Sequence, residues 1–101
     1  MLVTDRYDDE IYADFMATFP DFKLDVIDEE ALKSPQAKEQ WRPWIMKYEK
    51  QVDDYNFGTL LRLRADGDYT AENSIFVTRM QFYAIEISRN KLGLNAVHYR
   101  P

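Results

Sequence analysis

Residues able to do chemistry are few in this chain, and their spacing works against a site. His98 is the only histidine, cysteine is absent, and no serine nucleophile stands near the histidine. General-base catalysis needs base and nucleophile within hydrogen-bond reach, so His98 is expected as a surface residue near the carboxyl end, with no catalytic duty. Asp53 and Asp54 pair two carboxylates, but helical neighbours point about 100° apart and cannot face one bond together. The segment DGDYTAE offers Asp66, Asp68 and Glu72 to a calcium ion, yet its glycine stands at the wrong place for the EF-hand loop. Gly58, Gly67 and Gly93 lie far apart, which excludes both the phosphate-cradling loop and the dinucleotide fingerprint. The expectation is a protein without cofactor or metal that is not an enzyme.

Composition narrows the partners. Eighteen acidic against thirteen basic residues leave a net charge of −5. Neutralising phosphates requires a basic face, so nucleic acid is not expected as a direct partner and a basic protein is. The acids gather in YDDE, DVIDEE and VDDY, which read as helix starts, helix ends and solvated turns. Without a basic-then-apolar start, and without an apolar run near the ~20 residues a bilayer crossing needs, neither a signal peptide nor a membrane span is expected. The lack of cysteine fits a reducing compartment. Cytoplasm is therefore the expected location, with the nucleus as the other.

With 46% hydrophobic residues in 101, the chain can build one core, burying roughly 60 to 65% of its unfolded surface. One domain, 1–101, is expected. Ile11, Tyr12, Phe15, Met16 and Phe19 recur at helical spacing behind three acids that suit a helix amino end, predicting a helix over 8–19 stopped by Pro20. Residues 22–26 alternate loosely, as in a short strand or extended link. DEEALKS reads as a short turn, and Ser34-Pro35 as a second helix start. Trp41, Trp44, Ile45, Tyr48, Val52 and Tyr55 fall within an arc of about 100°, predicting a long helix over 43–56. Pro43 predicts a kink near Arg42 or a fresh start at Pro43 itself.

Gly58 follows that stripe and is expected to turn the chain away from the helix end with positive φ. The alternation Leu61-Arg62-Leu63-Arg64 predicts a strand over 59–65, and the Asp-Gly in RADGDY a tight turn with positive φ. Thr70 is then expected to cap a last helix over 72–90, with Phe76, Met80, Tyr83, Ala84 and Ile87 on its apolar face, ended by NKLGLN. The fold class is mainly α, a small helical array with three principal helices and at most one short strand pair, Phe22 to Val26 with Leu60 to Arg64. If those pair, the class becomes α+β.

The stretches WRPW, DDYNFGTLLRL, GDYTAENSIF and RMQFYAIEISRNKLGLN, in that order, resemble the eukaryotic family labelled polysaccharide biosynthesis domain-containing protein 1. The likeness runs from about residue 8 to residue 99. It implies a dedicated chaperone of translation elongation factor 1-alpha, engaging the factor's emerging GTP-binding domain at the ribosome alongside the nascent polypeptide-associated complex. GTP would be bound by the client. The family label points instead to sugar chemistry and, through plant cell-wall relatives, to methyl transfer. Methyl transfer of the usual kind needs a glycine-rich turn on a parallel sheet, which three scattered glycines do not provide. Behind the chaperone stand an adaptor for another protein and, last, a small enzyme of polysaccharide biosynthesis.

A protein that holds and releases a client needs exposed aromatic and aliphatic residues with a polar rim. The candidates are Tyr55, Asn56 and Phe57 at the expected helix exit, Arg62 and Arg64 on the open face of the strand, and Phe82, Ile85 and Arg89 on a second face of the last helix. For that second face two readings stand: a helix buried on both sides, or an aromatic, aliphatic and arginine patch that anchors a partner.

Overall fold

A computed structural model of the chain describes residues 5–95, with side chains from residue 8 onward. His98 lies outside the described residues. Helix α1 spans Asp5–Thr18 and buries Ile11 and Phe15 completely; its last turn is extended by the amide of Phe19, which donates to the Phe15 carbonyl at 2.8 Å. Pro20 bars a further turn. Helix α2, Glu30–Lys33, is a single turn that buries Leu32. Ser34 then caps α3, Pro35–Met46, its hydroxyl accepting from the Ala37 amide at 3.1 Å with proline at the first helical position.

Two expectations for this region are not met: a fresh helix start at Pro43 and a long helix reaching residue 56. The helix runs through Pro43 without restarting there, because Pro43 and Glu39 both face solvent and water can take the carbonyl that proline leaves unpaired. It also ends at Met46 rather than near residue 56. From Lys47 the chain winds more tightly: the amides of Lys47, Tyr48, Glu49 and Gln51 each donate to the carbonyl three residues back, at 3.1 to 3.3 Å. Such turns keep the stripe of Trp41, Trp44, Tyr48 and Val52 buried without a continuous helix. Carboxylates at 53 and 54 would meet the negative end of a longer helix. Asp54 instead finds tertiary partners, accepting from Arg79 at 2.7 Å and from the Tyr83 hydroxyl at 3.0 Å.

Strand β1, Gly58–Arg62, pairs antiparallel with β2, Ser74–Thr78, in the register Gly58 to Thr78, Leu60 to Phe76 and Arg62 to Ser74. Segment 74–78 was expected inside the last helix. Its run of Ile75, Phe76, Val77 and Thr78 is β-branched and aromatic, which favours a pleated surface. Helix α4 is therefore Arg79–Lys91, capped by Thr78 rather than Thr70: Thr78 accepts from the Gln81 amide at 3.2 Å while the Gln81 side chain accepts from the Thr78 amide at 3.0 Å. Thr70 closes the turn before β2, accepting from the Asn73 amide. The expected pairing of 22–26 with 60–64 shrinks to one bridge, Val26 with Arg64, flanked by backbone bonds from Ile27 to Leu63 and from Ala65 to Asp25, both 2.9 Å.

The fold is thus α+β: four helices and a two-stranded antiparallel sheet among the described residues. Its core has two parts. Phe15, Phe19, Phe22, Trp41 and Trp44 form an aromatic cluster between α1 and α3, with Phe19 stacked on Trp41 at 4.2 Å between centroids. Leu61 and Val77 from the sheet meet the buried side chains of α4, which packs against α1 and both strands. No helix among the described residues is long and apolar enough to cross a membrane.

Candidate functional site

The eight candidate residues separate into exposed and buried sets. Phe57 is 61% exposed, Asn56 is exposed, and Tyr55 is half-buried with its hydroxyl 3.9 Å from the Met46 sulfur. Their backbone is pinned to the start of α4: the amides of Arg79 and Met80 donate to the carbonyls of Phe57 and Tyr55. Arg64 is exposed and paired with Asp66 at 3.2 Å. Arg62, Ile85 and Arg89 are buried, and Phe82 is half-buried. The second face of α4 is therefore interior: from Met80 to Arg89 every residue except Phe82 is buried. The patch Phe82, Ile85 and Arg89 is not presented to a partner, and Arg62 leaves the surface set with it. Held between α1 and the sheet, the helix leaves only Phe82 partly open between Met80 and Arg89.

What the buried arginines do instead is plain from their contacts. The Arg89 guanidinium donates to the Leu24 carbonyl at 2.8 Å, to the Leu63 carbonyl at 3.0 Å and to Glu86 at 3.0 Å. Arg62 donates to the Ala65 carbonyl and to Asn95, both at 2.9 Å, and reaches Glu86 at 3.5 Å. Asn95 in turn donates to Glu86 at 2.9 Å. Burial pushes the Arg89 guanidinium down from its ordinary value, and the Glu86 carboxylate opposes that shift. The cluster ties four stretches of chain together, and periodicity carries no sign of it. It depends on Gly93, the only described residue with positive φ (76°). There the Leu94 amide donates to the Arg89 carbonyl and the Gly93 amide to the Asn90 carbonyl, turning the chain so that Asn95 comes under Arg62.

Tyr55 and Asn56 open onto a groove of about 460 Å³ between α2 and α3 on one side and the β2–α4 corner on the other; Phe57 and Arg64 are not among its lining residues. Tyr55, Asn56 and Gly58 line one end, Trp41, Ile45 and Met46 lie along α3, and Phe76 and Val77 stand opposite. Lys33, Lys38 and Arg42 also line it, with no acidic residue among the lining side chains. Lys33 donates its ammonium to the Phe76 carbonyl at the free edge of β2. Gly58 does not turn the chain; it makes room. A Cβ at that position would stand 2.2 Å from the Phe76 ring, which lies over the glycine from the neighbouring strand. Of the lining residues, Met46 and Phe76 are 49 and 61% exposed; outside the lining, Phe57 and Leu60 are 61 and 50% exposed. Leu60 and Phe76 are direct cross-strand neighbours.

Tyr55 and Asn56 of the lining were singled out from the sequence; Phe76, Met46 and the three cations were not. The Thr78-x-x-Gln81 capping box would have moved the helix start to Arg79 and freed Phe76 for a strand. Leu60 and Leu61 are alike in type, and only pairing with β2 tells which points outward. The groove carries Tyr55, Asn56, Thr78 and Gln81 as polar groups but no carboxylate, histidine or cysteine. Its chemistry is apolar burial beside positive charge rather than proton transfer. Among the described residues no group of three metal-ligating side chains comes together.

The family model described as PBDC1 protein matches residues 1–100. The chain is 53% identical over 94 residues to the Schizosaccharomyces pombe protein named Protein PBDC1 homolog, covering 89% of this chain and 64% of that protein. It is 50% identical over 94 residues to Homo sapiens Protein PBDC1, covering 93% of this chain and 40% of the human protein. The chain therefore spans less than two thirds of these relatives' length. A solution NMR structure of a Saccharomyces cerevisiae protein superposes with a TM-score of 0.83 at 48% identity, over 92% of this chain and 68% of that one. The relatives' names carry no enzymatic activity.

Proposed function

The chain belongs to the PBDC1 protein family, and on that premise we propose that it is a non-catalytic, cytoplasmic chaperone that binds the nascent GTP-binding domain of translation elongation factor 1-alpha. The client comes from the resemblance of the sequence motifs. The observation that supports a holding function is the exposed apolar surface of Met46 and Phe76 in the groove, with exposed Phe57 next to Gly58 in the chain and exposed Leu60 across the strand pair from Phe76. Large aromatics left in water beside a concave site are characteristic of surfaces that bind other proteins.

Magnitudes agree with transient holding. Burying a large apolar side chain contributes about 1.5 to 3 kcal/mol, and association costs at least about 4 kcal/mol in lost freedom. A few such anchors leave an affinity between about millimolar and at best about micromolar, weak enough to release the folded client. The net charge of −5 would speed encounter with a basic client, and the nascent polypeptide-associated complex is the proposed companion at the ribosome.

Selective ribosome profiling on the tagged protein tests this reading. Enrichment of elongation factor 1-alpha messages, beginning once the GTP-binding domain has emerged, is expected, and Phe57→Ser with Phe76→Ser should abolish it without lowering the melting temperature. No enrichment over total ribosomes would end the chaperone reading. Capture of an unrelated mature protein instead would replace it with an adaptor.

A further inference from the structure

The lining of the groove names the chemistry of what it takes. Lys33, Lys38 and Arg42 come from consecutive helices to one opening, and no acidic side chain lines it, in a chain where acids outnumber bases eighteen to thirteen. Lys38 and Arg42 stand four residues apart on α3, so their like charges face each other along one side of the helix, an arrangement that disfavours a helix. Neither has an ion-pair partner among the described residues, although Glu39 and Glu49 flank the same stretch. Between the cations the wall is apolar, formed by Ile45, Met46 and Phe76 over Trp41.

We infer that the groove is a docking site for a segment of a partner protein in which aliphatic or aromatic side chains are flanked by carboxylates. The apolar side chains would fill the space over Trp41 while the carboxylates pair with Lys38 and Arg42 at the rim. Strand addition is not the mode, because the Lys33 ammonium already occupies the Phe76 carbonyl at the free edge of β2. Nucleic acid fits less well: three cations around an apolar slot form no track for a phosphate backbone, and the rest of the surface is acidic. The inference deepens the chaperone reading, which supplies the partner's identity, and puts the point of contact on a basic opening although the protein as a whole is acidic.

Fluorescence anisotropy on the purified full chain tests it, with three labelled probes: a short peptide holding Ile-Phe-Leu between pairs of glutamate, the same peptide with lysine for glutamate, and a single-stranded RNA oligomer. The glutamate peptide is expected to bind about tenfold or more tightly than the lysine peptide, and to weaken as salt is raised. The Lys38→Glu, Arg42→Glu double variant should lose that peptide and gain the lysine peptide, an exchange that general loss of structure cannot produce. Should that variant melt early, Lys38→Gln with Arg42→Gln keeps the test, with the preference between peptides reduced to near unity. Equal affinity for the two peptides, binding of none of the probes, or preference for RNA would each overturn the inference. Client capture separates it from the broader reading. Capture by wild type that the charge reversal leaves intact overturns the groove as the contact and spares the chaperone. Failure of wild type to capture the client while peptide selectivity holds overturns the client and spares the groove.

Discussion

Gly58 and Gly93 show how differently one residue type can be used. Gly93 holds φ at 76° with open space around it, so Gly93→Ala meets no steric contact and should cost about 1 kcal/mol through backbone strain alone. Gly58 has ordinary φ, so Gly58→Ala meets only the far end of an exposed phenyl ring, which can swing aside. Its expected stability change is within about 0.5 kcal/mol, while the displaced Phe76 weakens capture at the groove. Denaturant midpoints of the two variants side by side check this, and equal losses would refute it. Asp14 supplies a pH-dependent term. Burial pushes its carboxyl up, but hydrogen bonds from Lys47 and Tyr48, both at 2.7 Å, outweigh that and hold it below its ordinary range. A carboxyl lowered in the folded state binds its proton less tightly there than in the unfolded chain. Its contribution is therefore full above the unfolded value of about 3.9 and is lost as pH falls through the folded one. The stability gap between wild type and Asp14→Asn should be constant above about pH 5 and narrow below about pH 4; a gap that persists unchanged at about pH 3 would contradict the assignment.

At the scale of elements, α3 carries both the core and one wall of the groove. Trp44 packs against Phe15, Phe19, Trp41 and Tyr48 at centroid distances of 5.1 to 6.3 Å and is 2% exposed. Trp44→Ala should cost about 3 to 5 kcal/mol, read as a lowered denaturant midpoint, with binding lost only through unfolding. Pro43 is the counterpart on the solvent side of the same helix. Restoring its amide in Pro43→Ala should raise stability by about 1 to 3 kcal/mol and leave capture at the groove unchanged. A destabilised Pro43→Ala would mean that proline shapes the winding at Lys47. The amphipathic stripe was legible because spacings of three and four serve both a helix and the tighter turns that follow it. For the same reason the stripe could not show where the helix stops.

At the scale of the whole molecule, Arg89 joins the segments around residues 24 and 63 to α4, and Glu86 with Asn95 joins them to Arg62. Two guanidinium groups share one carboxylate, with Arg62 Nε left unpaired, and removing a charged partner from such a buried cluster costs several kcal/mol. Arg89→Met should therefore lower stability by about 3 to 5 kcal/mol, because Glu86 Oε2 and the Leu24 carbonyl lose their Arg89 donor while the Leu63 carbonyl keeps only the Ile27 amide. Arg89→Glu, which places a second carboxylate beside Glu86, should be worse. Melting and client capture on the same variants check the assignment, with melting falling first. A normal melt with lost capture would return Arg89 to the surface.

By itself the sequence determined what local chemistry controls. The first helix, the Ser34-Pro35 start, the buried stripe through Trp41 and Trp44, the strand near Leu61 and the end of α4 all follow from spacing, caps and breakers within a few residues. The Tyr55 to Phe57 segment was expected as the exit of a helix that instead ends at Met46, so its place as the approach to β1 was not legible. Tertiary structure alone decided which residues of amphipathic segments face solvent. The strand 74–78 exists because it pairs with 58–62, and that pairing turns Leu60 and Phe76 outward and Leu61 and Val77 inward. Arg62 and Arg89 look like surface residues by type. They are interior because backbone carbonyls and one carboxylate, from parts of the chain up to 65 residues apart, converge on them. A one-dimensional pattern records the period of a segment but not its partners, and burial of a charge depends on the partners.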